Sequence, residues 1–245
     1  MRKLLVAVIV LVSVSASTLA SVIVDPAEYT GSRSTPPASG VVGYDGWSES
    51  QGGLKVEWTI TQEPSGLWSY TYTFSDENAL PPPNPELSHW ILEVSPFITT
   101  ANMSDYFIFS DPSVVKGAET WAADPNSPDS TSPGANNGNP NLPADIYGIK
   151  FDFSDWTYSF VSSQQPVWGD FYAKDGRHTD EVATAWNTGI GTEPDPGGSF
   201  INYIPTPDTQ SGVLVPEPGT AVLAIGAVLA GVYARRRRRR TESKR

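Results

Sequence analysis

Two runs of strictly alternating residues constrain this chain more than anything else in it. Leu54, Val56, Trp58 and Ile60 alternate with Lys55, Glu57, Thr59 and Thr61. After Glu63-Pro64-Ser65-Gly66, the residues Trp68, Tyr70, Tyr72 and Phe74 alternate with Ser69, Thr71 and Thr73. Successive side chains of a strand point to opposite faces, so each run has one apolar and one polar face. Two such runs joined by a short Pro/Gly loop predict a β-hairpin.

The same reading places further strands along the chain. Residues 89–95 carry Trp90, Leu92 and Val94 on one face, and residues 106–109 form a short apolar run. Tyr147, Ile149, Phe151 and Phe153 alternate with Gly148, Lys150 and Asp152, and residues 155–162 return as the next strand. Residues 167–174 lead to the turn dipeptide Asp175-Gly176, and residues 182–186 make the last strand. Between the two ends no stretch repeats its apolar residues at the 3.6-residue period of a helix. Many short strands punctuated by Gly, Pro, Asn and Asp predict an all-β domain, an antiparallel β-sandwich. Three segments, 77–85, 124–145 and 197–214, are rich in Pro, Asn, Ser and Gly and are expected to lack order.

The ends of the chain differ from this middle. Met1-Arg2-Lys3 is followed by an apolar run, residues 4–12, and then by Ser13, Ser15, Ala16, Ser17, Thr18 and Ala20. Positive, apolar and small residues in that order predict a secretory signal peptide over residues 1–20, cut after Ala20 or after Ala16. At the other end, Val215-Pro216-Glu217-Pro218 precedes the uncharged apolar segment 220–234. Arg235, Arg236, Arg237, Arg238, Arg239 and Arg240 follow without a break. An apolar segment backed by an arginine block is a stop-transfer signal, with residues 235–245 held in the cytoplasm. As a helix, 15 residues span ~22 Å, short of the ~30 Å hydrocarbon core, which suits a temporary anchor better than a permanent one. The domains are therefore a signal peptide (1–20), a β-sandwich ectodomain (21–196), a linker (197–214) and a tail (215–245).

Pro216-Glu217-Pro218, an apolar helix and a terminal arginine cluster together resemble a PEP-CTERM sorting signal. The resemblance covers about the last 30 residues. It implies recognition by an exosortase, an integral-membrane cysteine protease or transpeptidase that removes the tail near the Pro-Glu-Pro motif. It also implies delivery to the surface or extracellular matrix of a polysaccharide-producing bacterium. The export route implies the Sec translocon and signal peptidase as earlier partners. Stretches 88–94, 146–151 and 167–176 resemble segments of PEP-CTERM surface proteins that carry no catalytic assignment, so they speak for kinship and not for activity.

Composition narrows what the exported part can do. Of 16 Lys+Arg residues, two lie in the leader and eight follow Leu214, leaving six against 25 acidic residues, a net charge of −19. Such a surface repels nucleic acid and anionic lipid. The chain has no cysteine, which excludes disulfides, thiol nucleophiles and cysteine metal clusters. Its two histidines, His89 and His178, make no metal site unaided, and no Gly-x-Ser-x-Gly elbow is present. The Asp-rich segment 124–145 lacks the ligand spacing of a calcium loop. No cofactor and no metal are expected, and no catalytic residue is assigned. The expectation is a non-catalytic surface or matrix protein. The alternative is a carbohydrate-binding module for extracellular polysaccharide, suggested by eight tryptophans in the exported part. Most of these suit inward strand positions. Trp47 and Trp121 stand outside the clear alternation and are the candidates for glycan contact.

Overall fold

The computed structural model describes residues 22–76, 85–123, 138–152, 156–176, 182–192 and 200–207. Within them the chain is all-β, with short 3-10 turns as its helices. The strands are β1 Thr30–Ser34, β2 Val41–Tyr44, β3 Lys55–Gln62, β4 Trp68–Ser75, β5 Leu87–Glu93, β6 Phe107–Phe109 and β7 Val115–Trp121. They continue as β8 Ile146–Asp152, β9 Thr157–Ser162, β10 Pro166–Gly169, β11 Phe171–Asp175, β12 Thr184–Asn187 and β13 Ile204–Pro207. One sheet has the order β1-β3-β4-β9-β6, a second β2-β12-β11-β5-β8-β7, and β10 pairs with β13 in a third, small sheet. Every pairing between strands is antiparallel.

The expected hairpin is β3 and β4, in register from Lys55 opposite Ser75 to Gln62 opposite Trp68. Its turn is closed by Gly66 N–H donating to Glu63 O at 2.9 Å and Glu63 N–H donating to Leu67 O at 2.7 Å. Gly66 sits at φ 86°, a conformation that only glycine adopts without strain. The apolar sides of both strands are buried: Val56, Trp58, Ile60, Tyr70, Tyr72 and Phe74. On the polar side, hydroxyls pair across strands, Thr71 with Ser159 at 2.8 Å and Thr73 with Thr157 at 3.0 Å.

Aromatic rings of the first two sheets meet in one core. Trp90 on β5 lies 5.1 Å from Tyr72 and 5.2 Å from Phe74, both on β4. Phe151 on β8 lies 4.8 Å from Tyr158 and 6.2 Å from Phe160, both on β9. Aromatic pairs at these separations add roughly 0.5–1.5 kcal/mol each beyond the area they bury.

The fold departs from expectation at four places. Residues 167–174 are not one strand: β10 and β11 belong to different sheets, and the chain changes sheet at Asp170. The carboxylate of Glu93 accepts from Asp170 N–H at 2.7 Å, and Asn187 donates to the Asp170 carboxylate at 2.6 Å. These bonds replace the ladder at the break. The ectodomain, expected to end at residue 196, takes in residues 204–207 as well, because β13 is buried and paired with β10. Part of the expected disordered segment 124–145 is packed: Leu142 is fully buried, and Tyr172 OH donates to Pro140 O at 2.8 Å. Pro85 likewise accepts from the Trp47 indole at 3.0 Å. A single apolar anchor or a buried donor suffices to order such a segment, and neither leaves a periodic signal. Among the described residues no helix is long and apolar enough to cross a membrane. The expected signal peptide, the span 220–234 and the segments 77–84, 124–137 and 208–214 lie outside the described residues.

Candidate functional site

The two ends of the described chain flank the same strand. Residues 22–24 run antiparallel to β10, with Val24 N–H donating to Pro166 O at 3.1 Å and Trp168 N–H donating to Val22 O at 3.0 Å. Ile23 faces Val167 across this pair. On the other side of β10 lies β13, with Pro207 opposite Pro166 and Ile204 opposite Gly169. The sequence of β13, Ile-Pro-Thr-Pro, suits an edge strand, where a missing N–H costs least. Its Pro205 carbonyl accepts from Tyr72 OH at 2.7 Å, which ties the small sheet to the main core.

A cleft of about 820 Å³ opens beside this patch, with Ile23, Glu28, Arg33, Trp168, Phe200 and Ile201 in its lining. Ile23 is 57% exposed and Ile201 38%, two large apolar side chains left in water. The Arg33 guanidinium lies 5.0 Å from the centre of the Trp58 ring and 5.5 Å from that of Trp168, a cation–π arrangement on both. One of its terminal nitrogens donates to Ser32 O at 2.9 Å and the other to Phe200 O at 3.0 Å. Its Nε is buried without a hydrogen-bond partner. Burial lowers the Arg33 pKa and the Glu28 carboxylate opposes the shift; the guanidinium stays charged at any physiological pH. Trp168 stacks on Phe200 at 5.3 Å and an interplanar angle of 3°. Arg33 thus joins β1 to the turn that opens β13. The cleft offers apolar walls and one cation.

A second cluster sits on the six-stranded sheet, where His89 on β5 pairs in register with Lys174 on β11 and Asp152 on β8. His89 is buried, and its Nε2 finds no partner. Burial first, then the neighbouring charges of Lys150 and Lys174, lower its pKa to about 3, while Asp152 and a hydrogen bond with the Asn139 side chain oppose the shift. The imidazole is therefore neutral in the folded domain. It protonates near 6.5 once the chain unfolds, so acid favours the unfolded state. The stabilising contribution is complete above pH 6.5 and is lost as pH falls from there towards 3. His89→Gln, which cannot take up the proton, is expected to remove at most ~3 kcal/mol of the stability difference between pH 7 and pH 4. Urea midpoints of both proteins at the two pH values measure it; parallel acid losses in the two would refute the assignment.

The candidate glycan contacts are far from equivalent. Trp47 is fully buried, so its ring offers no face to a sugar; this corrects the expectation of an exposed contact. The residue interrupts the strand alternation because it sits on a 3-10 turn, and its indole N–H is spent on Pro85 O. Trp121 is half-buried at the end of β7, its N–H donating to Gly148 O at 3.0 Å and Lys150 Nζ lying 5.3 Å from its ring centre. Among the described residues the tryptophan left most open is Trp156, 41% exposed, which the sequence reading placed inside the strand 155–162 and which precedes β9. His178 lies outside the described residues, and among the described residues no three His, Asp or Glu side chains converge as a metal site would require.

Beyond β13 the chain continues for eight residues to Val215. The PEP-CTERM protein-sorting motif matches residues 214–239. The chain carries a PEP-CTERM sorting motif. Comparison with curated proteins and with solved structures finds no significant match. The PEP-CTERM match covers Val215, Pro216, Glu217 and Pro218, the apolar segment and the first five arginines, Arg235 to Arg239. All of it lies outside the described residues, so its place relative to the domain is given by chain length alone. The PEP-CTERM motif supports exosortase-dependent sorting of an exported protein at the membrane, towards the cell surface.

Proposed function

We propose that this chain is a non-catalytic surface or extracellular-matrix protein, an acidic β-sandwich displayed outside the cell after its tail is removed. One observation carries the reading: a PEP-CTERM motif at residues 214–239 follows directly on a packed β domain whose last strand ends at Pro207. The Sec translocon and signal peptidase would handle the chain first, and an exosortase last. Between those steps the apolar segment 220–234 holds the protein in the inner membrane, because moving six arginines across hydrocarbon is costly. The two main sheets, with their rings meeting in one core, support the sandwich. A net charge of −19 on the exported part favours solubility in the extracellular polymer over adhesion to anionic surfaces. The glycan-binding alternative has less behind it, since five of the eight tryptophans are buried and spent on packing.

Intact mass and C-terminal peptide mapping of the protein recovered from native cells test the proposal. The expected product ends at or near Pro216-Glu217-Pro218 and lacks the segment from Thr220 on. Glu217→Ala is expected to leave most of the protein as a membrane-held precursor. Mature protein that retains Arg245 and fractionates wholly with membrane would show a plain single-pass anchor instead. Hydrolysis of a polysaccharide or peptide by the purified domain, lost on changing one carboxylate, would falsify the non-catalytic reading.

A further inference from the structure

The six-stranded sheet turns one face to the core and one away from it. Trp90, Leu92, Ile149, Phe151, Phe171 and Ala173 take the inner face. Residues opposite each other in register point the same way, and successive residues of a strand point opposite ways. His89 on β5, Lys150 and Asp152 on β8 and Lys174 on β11 therefore share the outer face. Lys116, at the bulge of β7, reaches the same place. Its ammonium lies 3.2 Å from the Asp152 carboxylate, and that of Lys150 lies 3.7 Å from the same group. The exported part carries only six basic residues against 25 acidic ones. Three of the six, Lys116, Lys150 and Lys174, meet on this one patch.

The patch has a rim and a floor. Lys116 is exposed, Lys150 and Asp152 are part-buried, and His89 and Lys174 are buried. Among the described residues its charges do not balance. Three ammonium groups face two carboxylates, Asp152, shared by Lys116 and Lys150, and Asp175, which follows Lys174 in the chain. Burial lowers the Lys174 pKa and the Lys150 charge adds to the effect, while Asp175 opposes it. A buried ammonium without full compensation is costly. The imidazole gives an independent sign. His89 Nε2 is buried without a partner, and the Asn139 side chain holds the ring by its other nitrogen. We infer that Lys150, Lys174 and His89 form a site for a single oxyanion, with Lys116 at its mouth. Each ammonium has three N–H donors, and Nε2 as an N–H adds one more, so a carboxylate, sulfate or phosphate group supplies the acceptors this set lacks. The overall charge of the domain does not forbid the site. Carboxylates more than ~8 Å away are largely screened at physiological salt, whereas the lysines touch the ligand directly. The group can arrive on an acidic sugar or free in solution as an inorganic ion.

The test follows the His89 ring itself, so anions held elsewhere on the chain do not register. The full chain, labelled with nitrogen-15 histidine and kept in neutral detergent, is titrated with sodium sulfate and separately with sodium galacturonate. Sodium chloride holds the ionic strength constant, and His178→Gln leaves His89 as the one labelled ring. The His89 Nε2 resonance is expected to shift and saturate. Lys174→Gln and Lys150→Gln are each expected to weaken that titration at least ~10-fold. Lys55→Gln is expected to leave it unchanged, since the Lys55 ammonium is held by Glu57 at 2.8 Å on the other main sheet. Tighter saturation by galacturonate assigns the site to a sugar-borne acid, and tighter saturation by sulfate to a free inorganic ion. Equal saturation by both makes the oxyanion alone the ligand. Circular dichroism checks that the variants fold; should Lys174→Gln unfold, the part-buried Lys150→Gln carries the comparison. A His89 resonance that stays still, or drifts without saturating under both salts, would overturn the inference. So would equal affinity in wild type and in the folded lysine variants of the patch.

Discussion

Trp90→Ala is expected to destabilise the domain by about 3–5 kcal/mol, a large part of the roughly 5–15 kcal/mol that an ordinary domain has in total. Trp90 is fully buried on β5, and its ring lies 5.0 Å from Phe151, 5.1 Å from Tyr72 and 5.2 Å from Phe74. Those neighbours come from both main sheets, so the cavity opens where the sheets meet and cannot collapse without moving one against the other. The matching loss in melting temperature is roughly 10 °C or more. Trp90→Phe separates packing from polarity. The Trp90 indole N–H is buried with no hydrogen-bond partner, so phenylalanine gives up volume but also sheds an unpaired donor that costs about 1–3 kcal/mol. The net loss for Trp90→Phe is expected to stay below ~1.5 kcal/mol. Urea unfolding followed by tryptophan fluorescence and near-UV circular dichroism measures both variants. Equal losses for alanine and phenylalanine would show that the indole N–H has a partner after all.

Asn187→Ala is expected to cost about 2–4 kcal/mol although it removes only a small polar side chain. Asn187 is fully buried at the end of β12. Its amide oxygen accepts from Phe171 N–H at 2.7 Å, and its nitrogen donates to the Asp170 carboxylate at 2.6 Å and to Asn202 O at 2.8 Å. Removing it costs the Phe171 N–H its acceptor and weakens the hold on a buried carboxylate at the point where the chain changes sheet. Asn187→Asp adds a diagnostic. It keeps an acceptor for Phe171 but sets a second carboxylate against Asp170, and two such groups at hydrogen-bond distance cannot both ionise cheaply. That variant should be much less stable than wild type at pH 7 and should recover part of the gap as pH falls and one carboxyl takes up a proton. Urea midpoints of both variants at pH 7 and pH 4 read this out; a gap for Asn187→Asp that stays constant with pH would rule out the carboxylate contact.

Most strands that the residue pattern revealed lie inside a sheet, and most that it missed lie at an edge. β3, β4, β5, β8, β9 and β11 have a partner on each side, and all of them showed in the residue pattern. β1, β2, β7 and β13 are edge strands that did not show, while the short edge strand β6 did, as the apolar run 106–109. A central strand is screened on both flanks and must supply a continuous apolar face, so its sequence is forced into period two. An edge strand has one partner and tolerates what would disrupt a centre: Thr-Gly-Ser-Arg-Ser in β1, the bulge at Gly117 in β7, two prolines in β13. The same logic explains Trp47, whose ring is fully buried from a 3-10 turn at a position with no periodicity to announce it.

By itself, the sequence determined the all-β class, the central hairpin, and the sorting tail. Each of these is written in local order: residue alternation in the strands, and the succession of Pro-Glu-Pro, apolar run and arginine block in the tail. Only the tertiary structure decided which segments close the sheets, that the domain takes in β13, and that residues 22–24 and β13 share one strand between them. It also decided that Arg33 lies against Trp58 and Trp168, and that His89 is buried with Lys174 and Asp152 beside it in register. Such placements join residues from different strands, some of them far apart along the chain, as Arg33 and Trp168 are. They are set by how whole sheets pack, and a periodic pattern reports only on the faces of a single strand.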